Sequence, residues 1–380
     1  MAQQPSKGLA DVVAAATALS DIDGRAGRLS YRGYDITQLA RAATFEEVAY
    51  LLQRGTPPGA SELACYRAEL LAGRELGALV TADLVAVAHQ QEPMEALRTL
   101  VSLASASDPD KDSNAADANQ RKAARLTAQQ PVLVAGYEAA RNGREVPQPD
   151  PGLSLAGNFL LQVTGAPPSA RAAEILDICL VLHADHTMNA STFAARVCAA
   201  TLSDMHSAVV AALGTLRGPL HGGANEQVMR LLEEIAKNAQ ADPVDAAGGE
   251  VAARLSRGEK IMGFGHRVYK VEDPRATILR GLAGELAQAA GDDTYFRMSR
   301  RIEETVLAEK GLYPNVDFFA AAVYHYLGIP TDLFTPVFSV SRMAGWTAHV
   351  IEQHADNRLI RPDSEYIGEA GLTWVSLAAR

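Results

Sequence analysis

Cysteine is scarce in this 380-residue sequence: only Cys65, Cys179 and Cys198, far apart and without a CxxC pair. They read as reduced, mostly buried thiols of a cytoplasmic protein. Long apolar runs are missing as well, and no uncharged stretch approaches the ~20 residues that span a bilayer. Met1–Ser20 has no basic region followed by an unbroken apolar core, so no secretory signal is expected. Positive charge is in deficit, with 35 Lys and Arg against 45 Asp and Glu, a net charge of −10. That argues against a nucleic-acid or other polyanion binder, while local basic pockets stay open. Alternating β-branched runs are scarce, so almost nothing is left for a sheet. The nucleophile elbow is also absent, because Gly152-Leu153-Ser154-Leu155-Ala156 lacks the closing glycine, and there is no P-loop.

Hydrophobic residues at 48% and charged residues at 21% exclude wholesale disorder. Alanine, leucine, glutamate and arginine dominate, which favours helices. Thr44-Phe45-Glu46-Glu47 is a capping box; Val48, Leu51 and Leu52 then share one face, and Gly55 stops the helix before Pro57-Pro58. A second helix follows at 62–71. Further helices are expected at 81–89, 94–106, 127–141, 152–163, 171–183, 189–200, 204–216, 224–237, 247–257, 274–289, 294–309, 315–327 and 340–354. Loops are expected at 107–119 and 142–151. The glycines of 218–223 and the stretch 328–336 bracket a segment that reads as an inserted domain. The resulting expectation is an all-α fold with a large body over 1–219 and 332–380 and a smaller one over 220–331.

Three histidine or aspartate contexts carry chemistry. His221 lies in Gly218-Pro219-Leu220-His221-Gly222-Gly223, open to a ligand and at the start of a helix, whose dipole disfavours imidazolium. His266 lies in Gly263-Phe264-Gly265-His266-Arg267-Val268-Tyr269-Lys270, with Arg267, Lys270 and Arg275 suited to carboxylates or phosphates. A dinucleotide reading fails there, since Val268 stands where a third glycine is needed. Asp317, in Pro314-Asn315-Val316-Asp317-Phe318-Phe319, falls in a helical first turn, where the dipole lowers its pKa and burial among phenylalanines raises it. His183 and His186, at i and i+3, are expected on one helical face. As a metal pair they need a third ligand, such as His206 or His221, for a metallohydrolase. Taken singly, each context also fits a bland alternative: a glycine turn, a solvated basic loop, an ordinary first-turn aspartate.

Together, and in this order, these motifs resemble the citrate synthase family. Tyr31-Arg32-Gly33-Tyr34-Asp35-Ile36 and Leu182-His183-Ala184-Asp185-His186 with Asn189-Ala190-Ser191-Thr192-Phe193 also match, so the resemblance runs from about Asp21 to Pro362. It implies an all-helical homodimer whose small domain closes on the substrates. It implies a transferase of the tricarboxylic acid cycle that condenses acetyl-CoA with oxaloacetate and hydrolyses the thioester, the acyl group becoming an alkyl group on transfer. No metal or cofactor is implied, the CoA thioester being a substrate. Asp317 resembles the base that takes the methyl proton, His221 the donor to the thioester oxygen, and His266 the residue that polarises the ketone. His186, Arg275 and Arg342 resemble the oxaloacetate clamp, with Arg361 supplied by the neighbouring subunit. Arg267 and Lys270 fall where the family contacts the CoA phosphates. The sequence lacks the N-terminal extension of larger, NADH-regulated members, so that regulation is not expected. A 2-methylcitrate synthase, using propionyl-CoA, shares every motif and is the alternative; a non-catalytic helical scaffold is a third, which turnover with an acyl-CoA and a 2-oxo acid would exclude.

Overall fold

The computed structural model describes residues 7–9 and 12–380. Residues 1–6, 10 and 11, part of the stretch read for a leader signal, lie outside the described residues. The described residues are mostly helical, but a small sheet precedes the α-helices. Strands β1 (Ser20–Asp23), β2 (Arg28–Tyr31) and β3 (Tyr34–Asp35) form an antiparallel meander in that order. Leu29 and Tyr31 of β2 point into the core while Arg28 is exposed. The alternation is real, but strands of two to four residues are too short for it to stand out in sequence.

Sixteen helices follow among the described residues. They are α1 (Ile36–Ala42), α2 (Phe45–Arg54), α3 (Ala60–Ala72), α4 (Ala78–Gln90), α5 (Pro93–Ala104), α6 (Ala116–Arg141), α7 (Leu155–Thr164) and α8 (Ala170–His183). The rest are α9 (Ala190–Ala199), α10 (Met205–Leu216), α11 (Ala224–Asn238), α12 (Pro243–Ser256), α13 (Pro274–Ala290), α14 (Thr294–Lys310), α15 (Val316–Tyr326) and α16 (Phe334–Ala355). The capping box of α2 is present: Thr44 Oγ1 accepts from Glu47 N, and Glu47 Oε2 accepts from Thr44 N at 2.7 Å. Gly55, at φ 97°, ends the helix as expected.

Several helices start before their apolar pattern does, α6 and α16 by the widest margins. α6 begins eleven residues before 127, in a run of polar residues. That run is held by the loop before it: the buried Lys122 donates to Ser113 O, and Arg121 and Arg125 bind Asp108 and Asp110. Hydrogen bonds replace the apolar stripe there. α16 begins at Phe334, with Pro336 in the first turn, where its missing N–H leaves no bond unmade.

α16 is buried along almost its whole length and packs on α2, α6, α8, α9 and α10. A helix covered on every side belongs in the middle of a protein, and here it carries buried polar groups such as Arg342 and His349 among its apolar ones. Helices α11–α15 pack largely on one another, α12 on α14 and both α11 and α13 on α15. α13 also touches α1 and α8, so the two groups of helices meet along a seam. No helix among the described residues is long and apolar enough to cross a membrane.

Candidate active site

His186, His221, His266, Arg275, Asp317 and Arg342 gather at that seam, whereas His206 and Arg361 do not. Gly263–His266 runs antiparallel to Tyr313–Asn315: Gly265 N donates to Tyr313 O and Asn315 N to Gly263 O, both at 2.9 Å. Asn315 caps α15, its Oδ1 accepting from Asp317 N at 3.0 Å, and its Nδ2 donates to Gly265 O at 3.1 Å. This short ladder ties the histidine loop to the start of the aspartate's helix. Gly263 has φ 82°, and a Cβ there would lie 2.9 Å from Phe318, so backbone angle and space both require glycine.

Asp317 is half-buried as a residue, but its carboxylate oxygen Oδ1 is shut off from solvent and has no protein partner. Burial raises its pKa to about 7, only partly offset by Arg275 and Arg342. Between the two opposing effects named from the sequence, desolvation wins.

His266 accepts two backbone N–H groups at Nδ1, from Val268 at 2.9 Å and Tyr269 at 3.2 Å. An amide only donates, so Nδ1 holds the lone pair and the ring's proton sits on Nε2. Burial, with the charge of Arg275, lowers the pKa to about 4, so the ring is neutral. His221 is anchored through the other nitrogen. Its Nε2 lies 3.3 Å from Ser191 N and 2.8 Å from Ser191 Oγ. The amide again fixes the tautomer, and the proton lies on Nδ1. Burial, with Arg342 adding, lowers this pKa to about 4 as well. His221 does precede α11, as expected, but the helical amide that meets its ring belongs to the first turn of α9.

The cationic part of the site is Arg275 and Arg342, each only 2% exposed. Arg275 is clasped by Asp273, which caps α13: Nε lies 3.0 Å from Oδ1 and Nη2 2.8 Å from Oδ2. Although burial opposes it, Asp273 keeps Arg275 charged, with its pKa raised. Arg342 Nε donates to His183 O at 2.7 Å, and the guanidinium stacks over Phe338. Burial lowers its pKa to about 10, still well above neutrality.

His183 and His186 do not share a helical face. α8 ends at His183, and His186 lies in the irregular segment beyond it, followed by Thr187 at φ 49°. His183 is held in the core by Nδ1, 2.8 Å from Cys179 O, while its buried Nε2 has no partner. His186 faces the site, its ring 5.2 Å from that of His266 and its buried Nε2 unpartnered. Burial and the charge of Arg275 hold its pKa well below the usual value. His206 stands apart, 3.6 Å from Asp108. No cluster of metal-binding type occurs among the described residues.

Arg361 is not brought to the site by its own chain. It lies in an extended segment after α16, is three-quarters exposed, and meets Asp363 at 3.1 Å. Arg267 and Lys270 are exposed at the rim; Lys270 and His266 share a cavity of about 260 Å³ with Leu312 and Tyr313. Ser191, Asp273 and Tyr269 were not assigned roles from the sequence. Asp273-Pro274 is a helix-start signal that marks the cap, but nothing in the sequence reveals that the same carboxylate grips Arg275.

A family model described as "Citrate synthase, C-terminal domain" matches residues 8–363. The citrate synthase of Haloferax volcanii is 48% identical, covering 100% of both chains. The 2-methylcitrate synthase of Shewanella oneidensis is 41% identical over 98% of this chain and 97% of its own. The structure of a Thermoplasma acidophilum citrate synthase in ternary complex with carboxymethyl coenzyme A and oxaloacetate superposes with a TM-score of 0.89 at 32% identity, covering 99% of both chains. A carboxylate of raised pKa, two neutral histidines of opposite tautomer and a pair of buried arginines thus occur in a chain that belongs to the citrate synthase family.

Proposed function

We propose that this protein condenses acetyl-CoA with oxaloacetate and hydrolyses the resulting thioester to citrate and CoA. It is an acyltransferase whose acyl group becomes an alkyl group. The observation that carries this reading is the pair of neutral imidazoles, each with its proton fixed by backbone amides, together with one desolvated carboxylate that feels the charges of Arg275 and Arg342.

Asp317 removes a proton from the methyl carbon of acetyl-CoA. A carboxylate is a weak base for so weak an acid, so the step needs the forming enolate oxygen to be met at once. His221 Nδ1–H does this as a neutral donor, without a proton changing hands beforehand. The enolate carbon then attacks the oxaloacetate ketone, and the new alkoxide is met by His266 Nε2–H. His186, Arg275 and Arg342 hold the two carboxylates and orient the ketone, which turns binding into positioning. Water then cleaves the thioester bond, giving citrate and CoA. Raised to about 7, the Asp317 pKa suits a base working near neutral pH.

Several further parts belong to the same proposal. The body over 220–331 closes on the larger one over 1–219 and 332–380, sealing the site from water until the carbon–carbon bond exists. The chain works as a homodimer in the cytoplasm, each Arg361 reaching the neighbouring site, which agrees with its exposed position. Arg267 and Lys270 bind CoA phosphates. No cofactor takes part. The test is kcat/KM with oxaloacetate and either acetyl-CoA or propionyl-CoA. A preference for acetyl-CoA is expected; a clear preference for propionyl-CoA would make the protein a 2-methylcitrate synthase. One methylene discriminates by only about 1–3 kcal/mol, so both substrates will turn over measurably.

A further inference from the structure

Behind His186 runs a chain of buried polar groups that the reaction itself does not use. Asp185, next to His186 and fully buried, accepts from Ser20 Oγ and from Thr187 N at 3.2 Å. His349 of α16, also fully buried, brings Nε2 to 3.2 Å from Asp185 Oδ1 and 3.4 Å from Oδ2. Its Nδ1 lies 3.0 Å from Arg196 Nη1. A guanidinium only donates, so Nδ1 holds the lone pair and the proton of the neutral ring lies on Nε2, towards Asp185. Arg196 continues the chain, with Nη1 2.6 Å from Glu352 Oε2 and Nε 3.1 Å from Gln353 Oε1. Glu352 Oε1 in turn accepts from Ala18 N at 2.8 Å.

The segment 184–187 has no helical or strand ladder of its own. Its carboxylate is fixed from the side of β1 by Ser20 and from α16 by His349. α16 passes so close that a Cβ on Gly345 would lie 2.3 Å from Ala184 O and 2.6 Å from Asp185 Oδ1. α9, which bears Arg196, also bears the Ser191 amide that anchors His221.

We propose that His349 is a positioning residue for substrate binding: by donating to Asp185 while accepting from Arg196, it fixes the segment that aims His186 at oxaloacetate. The proposal rests on the reading of oxaloacetate as substrate. Replacing His349 with leucine removes both bonds and leaves Asp185 and Arg196 buried without it. His349→Gln keeps one amide donor and one acceptor. For His349→Leu, the KM and the directly titrated Kd for oxaloacetate rise at least tenfold, while kcat and the KM for acetyl-CoA stay within about threefold. His349→Gln recovers most of the oxaloacetate affinity. Ser20→Ala, a milder change on the opposite side of Asp185, gives a smaller shift of the same kind and stands in if His349→Leu does not fold.

Unchanged oxaloacetate affinity in whichever of these two variants is folded would overturn the proposal. So would a uniform loss of kcat and of affinity for both substrates, or a His349→Gln variant as impaired as the leucine. Failure of the unmodified protein to bind oxaloacetate would instead overturn the substrate reading, so the two failures are distinct.

Discussion

His221 and His266 meet their backbone anchors through opposite ring nitrogens: Nε2 of the first lies 3.3 Å from Ser191 N, and Nδ1 of the second lies 2.9 Å from Val268 N. Each ring therefore presents a single N–H, His221 from Nδ1 and His266 from Nε2. The two donors of the proposed mechanism are thus set before either substrate arrives.

Long-range 1H–15N correlation spectra of histidine-labelled protein at pH 7.5 should show the His221 ring protonated at Nδ1 and the His266 ring at Nε2, each assigned by its loss in His221→Gln or His266→Gln. Both should stay neutral until the pH approaches 4 to 5, in line with pKa values of about 4. Either ring titrating near 6.5 would contradict the assignment. Loss of either donor should lower kcat by about 100- to 1,000-fold.

As the proposed base Asp317 works ionised, and its folded pKa is raised to about 7. kcat/KM for acetyl-CoA should therefore fall as the pH drops through 7, approaching tenfold per unit below it. Asp317→Asn should remove most turnover while leaving oxaloacetate binding nearly intact. The same shift acts on stability. An unfolded aspartate loses its proton near 4, the folded one near 7, so stability is lost as pH rises between them, by about 1.4 kcal/mol per unit. The asparagine variant should thus melt several degrees higher than the parent at pH 8, with the advantage gone at pH 4. Equal melting temperatures at pH 8 would argue against the raised pKa.

His183 has the opposite sign. Burial lowers its pKa to about 3. The unfolded ring binds a proton as the pH falls through 6.5 and the folded ring does not, so its share of stability is lost in that direction. For His183→Gln, the slope of unfolding free energy against pH between 4.5 and 6 should be shallower by about 1.4 kcal/mol per unit. An unchanged slope would show that His183 already charges in the folded protein.

Arg361→Ala should weaken oxaloacetate binding. Mixing that variant with Asp317→Asn subunits should restore activity if Arg361 serves the neighbouring site, because one of the two sites then regains both residues. Heterodimers shown by mass to have formed, yet inactive, would place Arg361 outside the shared site.

Much of the site was legible because the chemistry-bearing residues stand in glycine-rich or capping motifs, which sequence displays directly. His221, His266 and Asp317 were each found this way. What could not be read was environment. The sequence named dipole and burial as rivals at Asp317, but only packing decides between them. His349 is one residue in a buried apolar helix, and nothing local marks it as Asp185's partner 164 positions away. The first turns of α6 were read as loop because their partners, Asp108 to Asn114, hold polar groups rather than an apolar face. His183 and His186 were put on one face because spacing alone cannot tell where a helix ends.

The turn between β1 and β2 rests on the histidine loop: Lys270 N donates to Gly24 O at 2.8 Å, and a Cβ on Gly24 would lie 2.3 Å from Val268 O. Val268 is the residue whose amide orients His266. A single methyl group added at position 24, far in sequence from His266, would press on the peptide that aims His266, the proposed donor to the ketone. The amino-terminal ribbon is thereby a gauge block for the catalytic loop, and the tolerance of that turn to substitution should be as narrow as that of the active site itself.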